Sequence, residues 1–521
     1  MTTDGDVPAA MTFELLKSAP PAAAARLGRL ALGGRKSVID TPNYFAITSR
    51  GVVPHVSPDN VARHLQTGGA YMALEDFIER PQQNLSRRPP IYDHPSAHGR
   101  PLHSFAALPP SLITVLSARR LPAVPAPLGN SNRSVSIFTS TGFQVLTTKD
   151  YLAAVQALRP DIAIPLADLT HKELTPTSKR ALRMTERTDD WVREWFADQP
   201  DAGPSPDPNP IATFAPVLPV SYSLQWEYLE RLSEDLISRL SGLAIYDADI
   251  LPDLTSSTSY ANLAALPRLS VAAPPSPHHV LRQISLGMDL FTLPFLNAVS
   301  DAGIALTFTF PSPSPTASAD APAVLPLGID MSSTEHQTSL APLAPGCTCY
   351  TCTHHHRAYV QHLLSAREML GWTLLQLHNH AVVAAFFAGV RQTLAQEDGV
   401  AAFEHARARF HAVYDPELPA GTGERPRARG YHFKSQGGEG KRNKPGWSKL
   451  DEAGAEAEAK AAGARAEDVA AAAAAGAPDA DVADALQRLL VSGGIDTPVS
   501  PPDADADELC HKGFAEVDKQ Q

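Results

Sequence analysis

The sequence predicts an α/β fold: a (β/α)8 barrel with a cysteine- and histidine-bearing helical insertion and a low-complexity C-terminal tail. Three observations lead there. Short β-rich runs alternate with amphipathic stretches over about 370 residues, which argues for a parallel sheet, and so many units favour closure into a barrel. Three of the four cysteines crowd into "GCTCYTC", residues 346–352. From Asp451 onward the composition changes to Ala, Glu and Asp.

The elements follow in order. "SVID" and "NYFAIT" predict strands, and "SPDNVARHLQTG" predicts a helix entered through Ser57-Pro58. "SLITVLSA" and "SVSIFTS" are strand-like, and "TTKDYLAAVQAL" predicts a helix capped by Thr148. "PDIAIPLAD" predicts a strand. "SKRALRMTERTDDWVREWFAD" predicts a long amphipathic helix with Leu182, Trp191, Trp195 and Phe196 on its apolar stripe. "IATFAPVLPV", "LQWEYLERLSEDLISRL" and "SGLAIYD" continue as strand, helix and strand. "PRLSVAA", "HVLRQISLG", "MDLFTL" and "IALTFTF" extend the series. Proline clusters at 200–210, 311–326 and 498–503, with lesser ones near 122–127 and 274–277, read as surface loops.

With 43% hydrophobic and 19% charged residues the chain can bury a sizeable core. Its net charge of −12 is concentrated at one end: residues 451–521 hold 16 acids against 5 Lys/Arg, a net of −11, so the rest sits near −1. Any contact with nucleic acid must therefore come from local patches. One candidate is Arg425, Arg427, Arg429, Lys434, Lys441, Arg442, Lys444 and Lys449, although a solvated terminal segment has the same composition. No window shows the roughly 18–20 consecutive apolar residues of a membrane span. The N-terminus lacks the features of a secretory signal, and four cysteines make no disulfide framework. A cytoplasmic location is expected. The expected divisions are an N-terminal segment 1–11, a barrel 12–430 and a tail 431–521, partly helical and solvated, in which Cys510 reads as a surface thiol.

Cys347, Cys349 and Cys352 have C-x-C-x-x-C spacing, which lets a short turn aim three thiolates at one centre, as Zn²⁺ requires. A fourth donor is needed. His354, His355 and His356 follow too closely and read as an exposed run opening a helix, while His362 and His380 are further candidates. His378 is better placed, on the apolar helix "GWTLLQLHNHAVVAAFFAGVRQTL" among Leu374, Leu377, Ala381, Val382 and Ala385. Local pattern alone leaves that choice open. A closed Cys₃His shell has no vacant position, so the metal would be structural.

"CTCYTC", a gap of 25 residues, and then His378 within "LHNH" resemble the metal motif of tRNA-guanine transglycosylases. "TPNYFAITSRGVVPHVSPDNVARHLQTGGAYMAL", "PLHSF", "STGFQV", "RMTERTDDWVREWF", "SGLAIYD", "SLGMDLFTLPF" and "LAPGCTCYTC" agree in order, over roughly residues 12–415. The resemblance implies a TIM barrel, His378 as the fourth zinc ligand, one structural zinc per subunit, and exchange of guanine for queuine or a precursor at the wobble position of tRNA. That exchange breaks a glycosidic bond at C1′ of a flipped nucleotide, using one carboxylate as nucleophile and another carboxyl for proton transfer.

Here the sequence departs from the family. The base-side aspartate that opens "DSGGFQ" in catalytic members is matched by Thr139 of "TSTGFQ", and a glycine by Thr141. The nucleophilic aspartate is matched by Thr292 of "DLFT", and a pocket glycine by Tyr246 of "SGLAIY". A threonine hydroxyl replaces neither acid near pH 7. Asp168 and Asp289 are the nearest remaining carboxylates; Asp168 reads as a strand-end cap, and Asp289 resembles an internal structural residue of the barrel. The pattern is similar to that of non-catalytic eukaryotic members of the family. It implies a heterodimer with a catalytic homologue, contact with tRNAs bearing GUN anticodons, meeting of the two barrels near the metal-bearing helix, and possible peripheral placement at the outer mitochondrial membrane. Two other readings stay open at this level: a self-sufficient transferase recruiting Asp168 or Asp289, and a tRNA-binding scaffold outside queuine modification.

Overall fold

The computed structural model describes residues 11–17, 25–33, 37–78, 89–96, 99–126, 129–139, 142–170, 175–197, 210–313 and 324–426. An antiparallel sheet of β1 (Met11–Lys17), β2 (Leu27–Leu32) and β3 (Val38–Thr41) leads into β4 (Asn43–Ile47). Next come β5 (Gly69–Ala73), β6 (Ile113–Ser117), the hairpin β7 (Ser134–Thr139) and β8 (Gly142–Thr147), and the two-residue β9 (Ile162–Ala163). β10 (Ala212–Val217), β11 (Gly242–Ile245), β12 (Arg268–Ser270) and β13 (Leu290–Thr292) complete the barrel. Strands β4, β5, β6, β9, β10, β11, β12 and β13 pair in parallel in chain order, and β13 closes onto β4 through Leu290 beside Asn43. This is the predicted (β/α)8 architecture.

Alternation along the strands separates two cores. Phe45, Tyr71, Ile113, Val115, Phe214 and Ala244 point into the barrel and meet Leu30 and Ile39 of the N-terminal sheet. Ala70, Met72, Leu116, Ala215, Val217, Leu243 and Ile245 face outward against the helices. The helices follow local chemistry. Helix Thr148–Leu158 is capped by Thr147, whose Oγ1 accepts from the Asp150 amide at 3.1 Å, so the cap lies one residue before the expected Thr148. In helix Ser178–Ala197 the indoles of Trp191 and Trp195 and the Phe196 ring are buried, but Leu182 is 47% exposed and off the core stripe. Its place is taken by Ala181, Met184 and Thr188, one helical ridge away.

Two strand predictions also change. "PDIAIPLAD" contributes only Ile162–Ala163 to the sheet. "IALTFTF" supplies β14 (Ile304–Leu306), outside the barrel and antiparallel to β15 (Gly328–Asp330). β14 lies against the 26-residue helix Met369–Leu394, which is long and apolar enough to cross a membrane by length and composition; most of it is buried in this fold. Gln376, His378, Asn379 and His380 interrupt its apolar sequence, so it holds no run of 18–20 apolar residues. Such a helix serves equally as a core element, apolar around most of its circumference. At Gly389 the helix meets the Phe310 backbone so closely that a Cβ would sit 1.8 Å from its carbonyl oxygen.

Residues 427–521, including all the proposed basic cluster beyond Arg425 and the acidic tail with Cys510, lie outside the described residues, as does Thr141.

Candidate functional site: a cysteine-histidine cluster and a closed barrel mouth

Gly346, at φ +72°, turns the chain sharply into the cysteine segment. Cys349 then caps the short helix Tyr350–His354, its Sγ accepting from the Cys352 amide at 3.4 Å. The Thr351 hydroxyl donates to the Leu374 carbonyl at 2.7 Å and ties this turn to the long helix. Across from the thiols stands fully buried His378. Its Nδ1 lies 3.7, 3.5 and 3.4 Å from the sulfurs of Cys347, Cys349 and Cys352.

These distances test the donor set. Metal–sulfur and metal–nitrogen bonds of about 2.3 and 2.0–2.1 Å at a tetrahedral angle give a sulfur–nitrogen edge of about 3.5 Å. All four ligand atoms lie within 4.8 Å of one another, so the residues fit a single ion. The imidazole tautomer fits too. Nε2–H donates to the Leu306 carbonyl at 2.8 Å, leaving the Nδ1 lone pair directed at the sulfurs.

Three consecutive residues of the long helix thus face three partners. His378 joins the thiols. Asn379 accepts from the Leu306 amide at 2.8 Å and donates to Ser300 Oγ and the Ile304 carbonyl, both at 2.9 Å. His380 Nδ1 meets Tyr44 Oη of β4 at 3.0 Å, and its Nε2 meets the Gln376 amide at 3.1 Å. The cysteine turn, the β14 segment and the barrel wall are therefore bolted to one turn of helix. His354 ends its helix, and His356 caps the next, accepting from the Tyr359 amide at 3.2 Å, so neither replaces His378.

Burial pushes the His380 imidazole down to about 3. A histidine whose folded value is depressed binds fewer protons folded than unfolded between that value and about 6.5, so its share of stability is lost as pH falls through that window. We expect urea unfolding midpoints to fall between pH 6.5 and 4, at up to about 1.4 kcal/mol per pH unit from this group. His380→Gln, which keeps a polar partner for Tyr44, flattens that slope.

The mouth at the C-terminal ends of the barrel strands is otherwise engaged. Thr292 is fully buried, and its hydroxyl donates to the Ser270 carbonyl at 2.9 Å across β12 and β13. Thr139 ends β7, and its hydroxyl donates to the Gly142 carbonyl at 3.0 Å. Asp168 is buried between Arg180 at 2.7 Å and Arg187 at 3.0 Å, with Asn130 donating to it at 2.7 Å. It is the hub of an ion-pair cluster rather than a simple strand-end cap. Asp289 lies at the other end of its strand, three residues and about 10 Å before Thr292. There it pairs with Arg26 and accepts from the Arg268 amide at 2.8 Å. Burial first, then the neighbouring Arg26, pushes Arg268 down to about 9.

Sequence reasoning missed two carboxylates. Glu75 and Asp76 follow β5 directly at the mouth. Glu75 accepts from Arg120 N and Nε and from the Phe138 amide, each at 2.8 Å, and Asp76 lies 3.6 Å from Arg120. Burial raises the Glu75 carboxyl above the usual range, and Arg120 opposes that rise. "ALED", acids ending a strand, was the available signal. Tyr246 lines a recess with Tyr71, Ser117, Arg119 and Ala167, where the space open to water centres is about 30 Å³, room for a water or two. Burial pushes its phenol up to about 12, against the opposing influence of Arg119.

Known proteins agree with this geometry. A family profile described as queuine tRNA-ribosyltransferase matches residues 22–413. A fission yeast protein, Schizosaccharomyces pombe queuine tRNA-ribosyltransferase accessory subunit 2, is 32% identical over 421 residues, covering 79% of this chain and 87% of its own. Proteins of the same name from Ixodes scapularis and Anopheles gambiae are 26% and 27% identical, each over 71% of this chain, and 94% and 85% of their own lengths are covered. Because the profile spans the whole barrel and the cysteine-histidine cluster together, this chain belongs to the queuine tRNA-ribosyltransferase family.

Proposed function

We propose that this chain is the non-catalytic subunit of a queuine tRNA-ribosyltransferase. It supports exchange of guanine for queuine at the wobble position of tRNAs with GUN anticodons, those for Asp, Asn, His and Tyr, by pairing with a catalytic subunit and helping to seat the tRNA. The observation that carries this reading is the state of the mouth. Both threonine hydroxyls donate to backbone carbonyls, and Glu75, Asp76 and Asp168 each have arginine partners. Displacing a base from C1′ needs a carboxylate free to approach the sugar and a proton donor at the leaving base. Thr139 and Thr292 supply neither, and the buried acids Glu75, Asp76 and Asp168 are held by arginines. The name shared by the relatives supports the same reading.

Cys347, Cys349, Cys352 and His378 would hold one Zn²⁺. Bound there, the ion supplies cross-linking rather than chemistry, since the four protein donors complete a tetrahedral shell. Beside it the surface suits a protein partner. The Tyr350 ring lies between His64 and His354 at 4.7 and 4.6 Å, and Met369 and Leu370 are exposed.

Base exchange measured on a wobble-guanine tRNA with this chain alone, a catalytic homologue alone and both together tests the proposal. Full turnover is expected only from the pair. Substantial turnover by this chain alone would overturn it. Installing the missing acids, as Thr139→Asp with Thr292→Asp, is expected to leave the isolated chain below about one-thousandth of the pair's rate, because Tyr246 still stands where the family resemblance places a pocket glycine. Recovery of activity would mean that carboxylates alone were lacking.

A further inference from the structure

We infer that a basic ridge beside the closed mouth, formed by Lys179, Arg183 and Arg133, binds the phosphate backbone of tRNA; this rests on the functional reading above. Helix Ser178–Ala197 opens with Lys179, Arg180 and Arg183, has no acid in its first turn, and carries Arg187 after Glu186 two turns further on. That arrangement is unfavourable for the helix alone. Its N-terminal end carries the positive pole of the backbone dipole, where acids are preferred, and Lys179, Arg183 and Arg187 repel one another along one i, i+4 stripe.

Asp168 offsets only part of this charge, through Arg180 and Arg187. The segment before β7 then adds to it. Asn132 Oδ1 accepts from Arg183 at 3.3 Å and Arg187 at 3.0 Å, its carbonyl accepts from the Trp191 indole at 2.7 Å, and the Asn130 carbonyl accepts from Arg187 at 3.0 Å. These bonds fasten the loop to the helix and bring exposed Arg133 beside it. Among the described residues, Lys179, Arg183 and Arg133 have no carboxylate within ion-pair distance.

A chain body near −1 that concentrates unpaired cations on one framework has a local rather than a general affinity for anions. The Arg183 guanidinium, held by Asn132 Oδ1, suits the forked geometry of phosphate oxygens. The ridge adjoins Asp168, just past barrel strand β9, and so lies at the end of the barrel where the departed chemistry would have engaged RNA.

The test uses the full-length chain in complex with its catalytic homologue. The triple variant Lys179→Ala, Arg183→Ala, Arg133→Ala is titrated with a GUN-anticodon tRNA at several salt concentrations, and size-exclusion elution monitors the complex. We expect unchanged elution, affinity at low salt weakened about 10-fold or more, and a log–log salt slope shallower by about 2. An unchanged slope with intact tRNA binding overturns the inference and leaves the functional reading standing. A wild-type complex that binds no tRNA overturns both. Loss of binding to phosphatidylserine vesicles with tRNA binding unaffected reassigns the ridge to a lipid surface and likewise overturns the inference.

Discussion

Cys352→Ser is expected to abolish metal binding and to lower the thermal unfolding midpoint by roughly 5–10 °C. The Cys352 sulfur is the one nearest His378 Nδ1, at 3.4 Å, and a serine hydroxyl is a poor substitute for a thiolate at a soft-donor site. An ion present at about a thousand times its dissociation constant stabilises the folded state by about 4 kcal/mol, and each kcal/mol moves the midpoint by about 2 °C in a domain of this size. The loss should be felt widely. His378 shares a helical turn with Asn379 and His380, which hold β14 and barrel strand β4, so loosening the metal turn loosens both joints. Zinc content by atomic emission and calorimetric scans check this, with Cys510→Ser as the control that retains one ion per chain. Full metal content in Cys352→Ser would remove Cys352 from the ligand set.

Asp289→Ala should destabilise the barrel by about 3–5 kcal/mol, the usual cost of leaving buried charges without their partner. Arg26 and Arg268 are almost fully buried, and Asp289 is the only acid among the described residues paired with Arg26. Asp289→Asn keeps one acceptor oxygen and should lose less. Urea unfolding of both variants separates this role from a catalytic one. A nucleophilic Asp289 would give a variant as stable as the parent that no longer forms a covalent tRNA adduct. Equal stability of Asp289→Ala and the parent would contradict the structural role.

Much of this was legible in the linear chain. Alternating strand and helix patterns place the eight barrel strands because β-period and helix-period burial are local consequences of backbone geometry. The three cysteines are legible for the same reason, since one turn suffices to gather them. His378 was not settled by its surroundings: an imidazole among Leu374, Leu377 and Val382 reads equally as a core residue. Its orientation depends on a β14 carbonyl 72 residues away, which accepts from Nε2 and leaves the Nδ1 lone pair facing the three sulfurs.

The structure departs from the sequence pattern where side chains find partners far along the chain. Asp168 looked like a local cap, yet its partners Arg180 and Arg187 reach back from the next helix. Glu75 and Asp76 went unread because their partner Arg120 is 44 or more positions away. "IALTFTF" has strand composition, but whether a strand joins the barrel is decided by closure. Once β13 has paired with β4 no edge remains, and the next strand must pair elsewhere.

Sequence by itself therefore determined the architecture, the clustering of the thiols and the threonines at positions 139 and 292, because each is written in short-range spacing or residue type. Only tertiary structure decided that the threonine hydroxyls are committed to carbonyls, that Glu75, Asp76 and Asp168 are matched by arginines, and that Tyr246 lines a recess of water size. Those are outcomes of long-range pairing in a closed barrel, where a buried charge persists only beside its opposite.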